Sequence, residues 1–365
     1  MTNEVFSVLD DDGNVLHPEH EPTIAPEDLL RIYRGMLLVR LMDERMLRLQ
    51  RQGRLGFYMT STGEEATHFG GAYPLRDSDW IFPSYREPGA AFWRGYGLRE
   101  FICQLMGNAE DPIKGRQMPV HHSVRRINYV SISSPVGTQI PQAVGVAHAA
   151  KIRKRDDVAL VYFGEGGTST GAFHVALNFA GVFKLPVIFF CRNNGWAIST
   201  ARERQTAART FAAKAVAYGL PGVRVDGNDV LAIVSVMNQA LARARGGAGA
   251  TLIEAVTYRR GAHSSSDDPS VYRDPSEPKK WEHHDPIGRF QRYLERRGLM
   301  TAQLQKQLQE EIGGQITAAL KSAEAVPGKP PIETMFADVF AHVPPHLLEQ
   351  LEQLQQAPRS ESTHH

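Results

Sequence analysis

The chain has 365 residues, 42% of them hydrophobic, enough for one large α/β domain with appendages or for two small domains. Forty-one basic side chains face 40 acidic ones, and the net charge of +1 supplies no global field for nucleic acid or an anionic membrane. No apolar run reaches the length of a membrane span, and the two cysteines, Cys103 and Cys191, form no C-x-x-C, as expected of a reduced compartment. The N-terminal stretch MTNEVFSVLDDDGNV has neither the apolar centre of a signal peptide nor the Arg/Ser-rich character of a transit peptide, which points to a bacterial cytoplasmic protein.

In chain order, residues 1 to about 24 read as an extended arm, too polar and too proline-punctuated to form core. Pro26-Glu27-Asp28 opens a helix that runs towards Gln52 and stops at Gly53, with Leu30, Tyr33, Leu37, Leu41 and Leu47 as its buried stripe. Tyr85-Arg86-Glu87 falls in a loop after IFPS, and Ser134-Pro135 leads into PQAVGVAHAAKIRK, a helix of small residues able to lie close on a sheet. Residues 157–163 are apolar and β-branched, and they end abruptly in Gly164-Glu165-Gly166-Gly167. That is the pattern of a buried parallel strand that stops where its backbone must approach something closely. A helix over 168–184 returns the chain to a second buried strand, 187–191, which ends in Arg192-Asn193-Asn194. Further strands are expected at 223–225 and 252–256, with a helix over 229–245 between them. A polar, Pro- and Asp-rich loop then covers 261–284, and a loop of that length is usually functional. Helices over 286–297 and 301–325 precede a Gln/Glu/Pro-rich tail whose final His364-His365 is given no metal role. The organisation is an arm and helix over 1–55, an α/β domain over 56–284 and C-terminal helices and tail over 285–365.

The two central strands deliver a carboxylate and a carboxamide to one carboxyl edge of a parallel sheet, where open α/β sheets bind ligands. Glu165 and Asn194 are hard oxygen donors and Arg192 pairs with phosphate, a set suited to magnesium shared with a diphosphate. A dinucleotide-binding turn would need G-x-G-x-x-G, but its third glycine is replaced by Ser169. The acid wanted about 20 positions on is also missing, since the chain offers Lys184 and then Arg192.

With GEGG closed one helix later by RNN, the chain resembles the thiamine diphosphate-dependent 2-oxo acid dehydrogenases, specifically the alpha subunit of their decarboxylase component. The family motif opens with Gly-Asp-Gly and closes with Asn-Asn; Glu165 as the central acid is similar to the branched-chain subgroup. The blocks GFYMTSTGEEATH, SYREPG, KGRQMPVHH, SISSPVGTQIPQAVG, FFCRNNGWAIST, VRVDGNDV and YRRGAHSSSDDPSVYR carry the resemblance from about Arg40 to about Tyr272. It implies an α/β thiamine diphosphate-binding fold, a mainly parallel sheet flanked by helices, with an extended N-terminal arm and C-terminal helices.

The resemblance also implies the site. Magnesium would sit on Glu165, Asn194 and the backbone carbonyl of Trp196, where the family more often has Tyr. Tyr85, Arg86, Ser134, Gly166, Gly167 and Arg192 would contact the cofactor. Ser133, Pro135, Thr138 and Gln139 would hold potassium; from the residues alone this block is a polar loop with a helix cap. His263 would bind cofactor and move protons around a lipoyl group, for which an ordinary imidazole pKa near 6.5 is suited. Ala262 precedes it where the family often has His or Gly, and Ser264, which matches a phosphorylated serine of animal relatives, is assigned no regulatory role. Ala172 and Val175 stand where many members carry acids, which puts any proton relay through this subunit in doubt.

The glutamate that activates thiamine comes from a separate beta subunit in this family. The chain is therefore expected to be inactive alone and to form an α2β2 assembly that docks on a lipoyl-bearing acyltransferase core. The implied reaction is oxidative decarboxylation of a small branched-chain 2-oxo acid such as 3-methyl-2-oxobutanoate, with Phe57 and Tyr58 as candidate acyl-pocket residues. Pyruvate or acetoin as substrate, a nicotinamide-dependent oxidoreductase and a non-catalytic scaffold are the alternatives.

Overall fold

Five short strands lie parallel at the centre: β1 (Trp80–Phe82), β2 (Ala159–Gly164), β3 (Val187–Asn193), then, after a separate hairpin β4 (Trp196–Ala197) and β5 (Thr200–Ala201), β6 (Gly222–Asp226) and β7 (Thr251–Val256). Their order across the sheet is β1-β2-β3-β7-β6. The computed structural model describes residues 4–358, so His364 and His365 lie outside the described residues. Alternate side chains of each strand enter opposite cores, which is why the strands are apolar throughout rather than alternating. Leu160, Tyr162, Ile188, Phe190 and Ile253 face one core; Val161, Phe163, Phe189, Cys191 and Leu252 face the other.

The helices are α1 (Pro26–Arg51), α2 (Glu65–Ala72), α3 (Pro88–Trp93), α4 (Leu98–Met106), α5 (Gln139–Ile152), α6 (Gly171–Phe183), α7 (Val230–Arg245), α8 (Glu277–Lys280), α9 (Pro286–Arg296), α10 (Ala302–Glu324) and α11 (Pro345–Gln356). Crossovers α5 and α6 join β1 to β2 and β2 to β3 and cover one face of the sheet, while α7, α1 and α2 cover the other. The segment 326–358 is not simply a tail, because it ends in α11 with Leu347, Leu351 and Leu354 half-buried at helical spacing. No helix among the described residues is long and apolar enough to cross a membrane.

Two expectations need correction. The α1 stripe is not Leu30-Leu41-Leu47, all of which are half-buried; Leu29, Ile32, Met36, Met42, Met46 and Leu49 join Tyr33 and Leu37 inside. The helix is packed by α2, α3, α9 and α10, so a broad face is covered rather than one line of leucines.

The arm does contribute core. Phe6 pairs in parallel with Val225 of edge strand β6, with Phe6 N–H on Arg224 O at 3.0 Å and Asp226 N–H on Phe6 O at 2.8 Å. Val8 and Leu9 are buried, and both donate their N–H to Asp229 Oδ2, at 2.7 and 2.6 Å. Asp229 Oδ1 meanwhile caps α7, accepting from Leu231 and Ala232 N–H at 3.0 and 3.1 Å. Both partners lie more than 200 residues away in sequence, so local composition could not reveal them. Asp229→Ala orphans four buried N–H groups and should cost roughly 2–4 kcal/mol in denaturant unfolding. Amide exchange at Val8 and Leu9 should accelerate with it, and unchanged exchange there would contradict the anchoring role.

Candidate active site

Strands β2 and β3 stop level with one another, Gly164 opposite Arg192, so the residues after them share one end of the sheet. Glu165 begins a 3-10 turn, Glu165–Ser169, and Gly166 lets the β4–β5 hairpin approach: a Cβ there would lie 2.8 Å from Ala197 Cβ. Past β3, Gly195 takes a φ of +85°, which turns the chain into that hairpin. Asn194 Oδ1 accepts from Trp196 N–H at 3.2 Å. Glu165 is 1% exposed; its Oε2 accepts from Asn194 N–H at 3.3 Å and its Oε1 from Gln205 Nε2 at 3.2 Å. No basic side chain pairs with it among the described residues. Burial raises the pKa of this carboxyl, and a neighbouring cation is what it lacks. No group of three or more His, Cys, Asp or Glu among the described residues could hold a metal. A cation here would therefore draw on a carboxylate, a carboxamide, a carbonyl and a ligand's own oxygens, as magnesium commonly does.

Facing Glu165 is a cluster of guanidinium groups, nearly all buried. Arg192 donates to Glu64 and, at 2.9 Å, to Ser84 Oγ, and it pairs with Glu87 at 2.5 Å. Burial opposes its charge, but Glu87 and Glu64 outweigh that and hold it protonated. Arg86 donates to the carbonyls of Thr60 and His263 and lies 3.8 Å from Glu64. Arg259 donates to the carbonyls of Trp196 (3.3 Å) and Ile198 (2.8 Å) and to the Tyr272 hydroxyl (2.9 Å), with no acid paired to it among the described residues. Burial and Arg86 lower its pKa. The Nε groups of Arg192 and Arg259 have no hydrogen-bond partner among the described residues. Three cations against Glu64 and Glu87 leave room for an anion.

His263 is held where the cations meet. Its Nδ1 lies 3.3 Å from Arg86 Nη2 and 3.5 Å from Arg259 Nη1, and since guanidinium only donates, the ring proton resides on Nε2. Burial, then Arg86 and Arg259, push its pKa down to about 4, so the imidazole is neutral at physiological pH. Its loop is docked rather than free: His263 N–H and the Tyr272 hydroxyl both donate to Asp267 Oδ2 at 2.6 Å. Ser265 exchanges two bonds with the Tyr58 backbone. Trp196 Nε1 donates to Glu277 Oε1 at 3.1 Å.

A cavity of about 240 Å³ gathers Tyr85, Arg86, Ser133, Gln139, Glu165, Gly166, Gly167, Arg192, Asn194, Trp196 and His263. Ser134, Pro135 and Thr138 do not line it; they border a separate depression on the far side of the Ser133 loop. Ser134 Oγ is bonded to His121 Nε2 at 2.6 Å, and Thr138 Oγ1 donates to Pro135 O at 3.0 Å. Gln139 donates to Tyr162 O at 2.9 Å, while its Oε1 is buried without a partner, an oxygen free for a cation. Tyr58 is core, its hydroxyl on Asp43 at 2.7 Å, and neither it nor Phe57 lines the cavity. Glu64, Glu87, Arg259 and Gln205 were not singled out from sequence. Glu64 and Arg259 nevertheless sit inside the STGEEATH and YRRG stretches, where doubled charges beside glycine were the available signal.

Residues 33–332 match the family model described as dehydrogenase E1 component. The chain is 42% identical over 351 residues to the mouse and human mitochondrial 2-oxoisovalerate dehydrogenase subunit alpha, covering 96% of this chain and 79% of each relative. It is 43% identical to the Arabidopsis thaliana 2-oxoisovalerate dehydrogenase subunit alpha 2, over 94% of this chain and 73% of that protein. A parallel sheet that sets a buried, cation-less carboxylate opposite an arginine cluster, together with these matches, makes the chain a member of the dehydrogenase E1 component family.

Proposed function

We propose that the chain is the alpha subunit of a branched-chain 2-oxo acid dehydrogenase, which decarboxylates 3-methyl-2-oxobutanoate and its homologues and passes the acyl group to a lipoyl carrier. The observation that carries this reading is the single cavity in which Glu165, buried and unpaired, faces Arg86, Arg192 and Arg259. The donor chemistry fits thiamine diphosphate with magnesium: Glu165, Asn194 and the Trp196 carbonyl would hold the metal. Tyr85, Arg86, Arg192, Gly166, Gly167 and Ser134 would hold the diphosphate side. Of these, Ser134 borders the neighbouring depression and would have to leave His121 and turn into the cavity to reach the ligand. When bound, thiamine diphosphate supplies an electron sink for the carbon that loses carbon dioxide.

The chain's own residues bind, orient and protonate. Burial, with Arg86 and Arg259, holds His263 neutral and the two guanidinium groups leave its proton on Nε2, so this residue enters the reaction as a hydrogen-bond donor rather than a cation. Asp267 and Tyr272 fix the backbone that carries it. A potassium ion on Ser133, Pro135, Thr138 and Gln139 would use the unpartnered Gln139 Oε1 and brace the loop that borders the cavity. Among the described residues the one acid that lines this cavity is Glu165, the proposed metal ligand, and Glu64 and Glu87 behind the wall are paired with Arg192. We therefore assign the carboxylate that activates the thiamine ring to a beta subunit in an α2β2 assembly, docked on an acyltransferase core.

The direct test is turnover with thiamine diphosphate, magnesium, 3-methyl-2-oxobutanoate and an artificial electron acceptor, with and without a beta subunit. Turnover is expected only in the mixture and faster than with pyruvate; none on any 2-oxo acid from a stable complex would overturn the assignment. Arg86→Ala should weaken thiamine diphosphate binding about tenfold to a hundredfold, the loss of charged hydrogen bonds of roughly 1.5–3 kcal/mol, measured by calorimetry. In ¹⁵N-histidine spectra of the cofactor-free protein, His263 should stay neutral as the Nε2–H form down to pH 5. The diphosphate's charge should then raise its pKa from about 4. A cofactor-free pKa above 6 would show that burial and the guanidinium groups do not control it.

A further inference from the structure

Glu64 stands immediately before α2, fully buried, and its two carboxylate oxygens serve different donors. Oε2 accepts from Arg192 Nη1, and Oε1 accepts from Asn194 Nδ2 at 3.0 Å, with Arg86 Nε 3.8 Å from the same oxygen. We propose that Glu64 is a positioning residue that fixes which way the Asn194 carboxamide faces, so that Oδ1 rather than Nδ2 is presented to magnesium. The inference rests on reading the cavity as a magnesium diphosphate site.

The two ends of a carboxamide are nearly equal in size, so packing alone does not choose between the two flips, and only one of them offers a metal ligand. A carboxylate can only accept, so the end of Asn194 that meets Glu64 is the NH2 group. Oδ1 is thereby turned the opposite way, where it also accepts from Trp196 N–H at 3.2 Å. Of the two contacts, the one to buried charge is the stronger. Position 64 must in addition accept from Arg192, and only a side chain with two acceptor oxygens meets both donors. A glutamine that keeps its oxygen on Arg192 sets its NH2 against that of Asn194. Turned round, it sets the same NH2 against a guanidinium. The second arrangement keeps the sense of the Asn194 amide only at the cost of Arg192, whereas the first is relieved by flipping that amide, so glutamine removes the fixed sense while bulk at the position is unchanged.

This donor–acceptor logic can be inverted and then repaired. Glu64→Gln should raise the magnesium concentration needed for half-maximal thiamine diphosphate binding at least tenfold, the lower end for residues that orient metal ligands. Asn194→Asp alone sets two carboxylates against one another and should weaken binding as well. In the double variant E64Q/N194D the position-64 oxygen accepts from Arg192 and its NH2 donates to the new carboxylate, with total charge unchanged. Binding should then return to within about threefold of the unaltered protein, a coupling that residues acting independently do not produce.

The measurement is calorimetric titration of thiamine diphosphate at graded magnesium, on the chain assembled with its beta subunit, with each variant's unfolding temperature recorded alongside. An unchanged magnesium requirement in E64Q, or a double variant as weak as the product of the singles, overturns the inference while leaving the functional reading intact. If the unaltered assembly binds thiamine diphosphate without regard to magnesium, the functional reading falls and the inference with it. Should E64Q fail to fold, N194D against the double variant still decides: recovery supports the orienting role, and no recovery rejects it.

Discussion

The site depends on one electrostatic arrangement: two fully buried carboxylates, Glu64 and Glu87, locked against the buried guanidinium of Arg192. An arginine without partners at that depth would be prohibitive, and so would either acid. Together they form a rigid block between the carboxyl end of β3, the segment before α2 and the loop before α3, three pieces of chain that no secondary structure joins. Arg86 and Asn194 are then placed against Glu64, Ser84 against Arg192, and the cavity wall follows. The block leaves a positive surplus on one side, through Arg86 and Arg259, and an unpaired negative charge on the other, at Glu165. A ligand carrying an anion and a cation together satisfies both.

Burial and the same field together decide the state of His263. Placed between Arg86 and Arg259, an imidazole that would titrate near neutrality is held neutral, and its proton is assigned to one nitrogen. Its loop carries two short helical segments, Pro269–Val271 and α8, and is tied to the body through Tyr58, Arg259 and Trp196. Trp196 has a double part: its carbonyl accepts from Arg259 and its indole N–H reaches Glu277 in α8. The tryptophan thus puts a ring N–H donor in contact with the loop.

Much of this architecture was legible in the sequence because it is local. Apolar runs that stop at GEGG and RNN fix both the strands and their polar ends, since a strand buried on both faces has no polar position until it leaves the sheet. The β2, β3 and β7 segments, the helices between them and the gathering of Tyr85, Arg86, Glu165, Arg192, Asn194 and His263 follow from that rule and from the family resemblance. β1 was not expected: three residues, Trp80–Phe82, are too short for any periodicity, and they become a strand because β2 offers a parallel edge.

What only the tertiary structure decided are the pairings across long stretches of chain. The polar arm became core because β6 and Asp229 supply its hydrogen bonds from more than 200 residues away. Ser134 was turned to His121 and away from the cavity by the course of its loop. Glu64 and Arg259 gained their places from neighbours that no spacing rule connects to them. Sequence by itself determined which residues must leave the sheet as polar ends, because burial and periodicity act within a few residues. Only the folded chain decided which buried charge meets which, because desolvation penalises every unpaired ion and the partner that relieves it can come from anywhere in the chain.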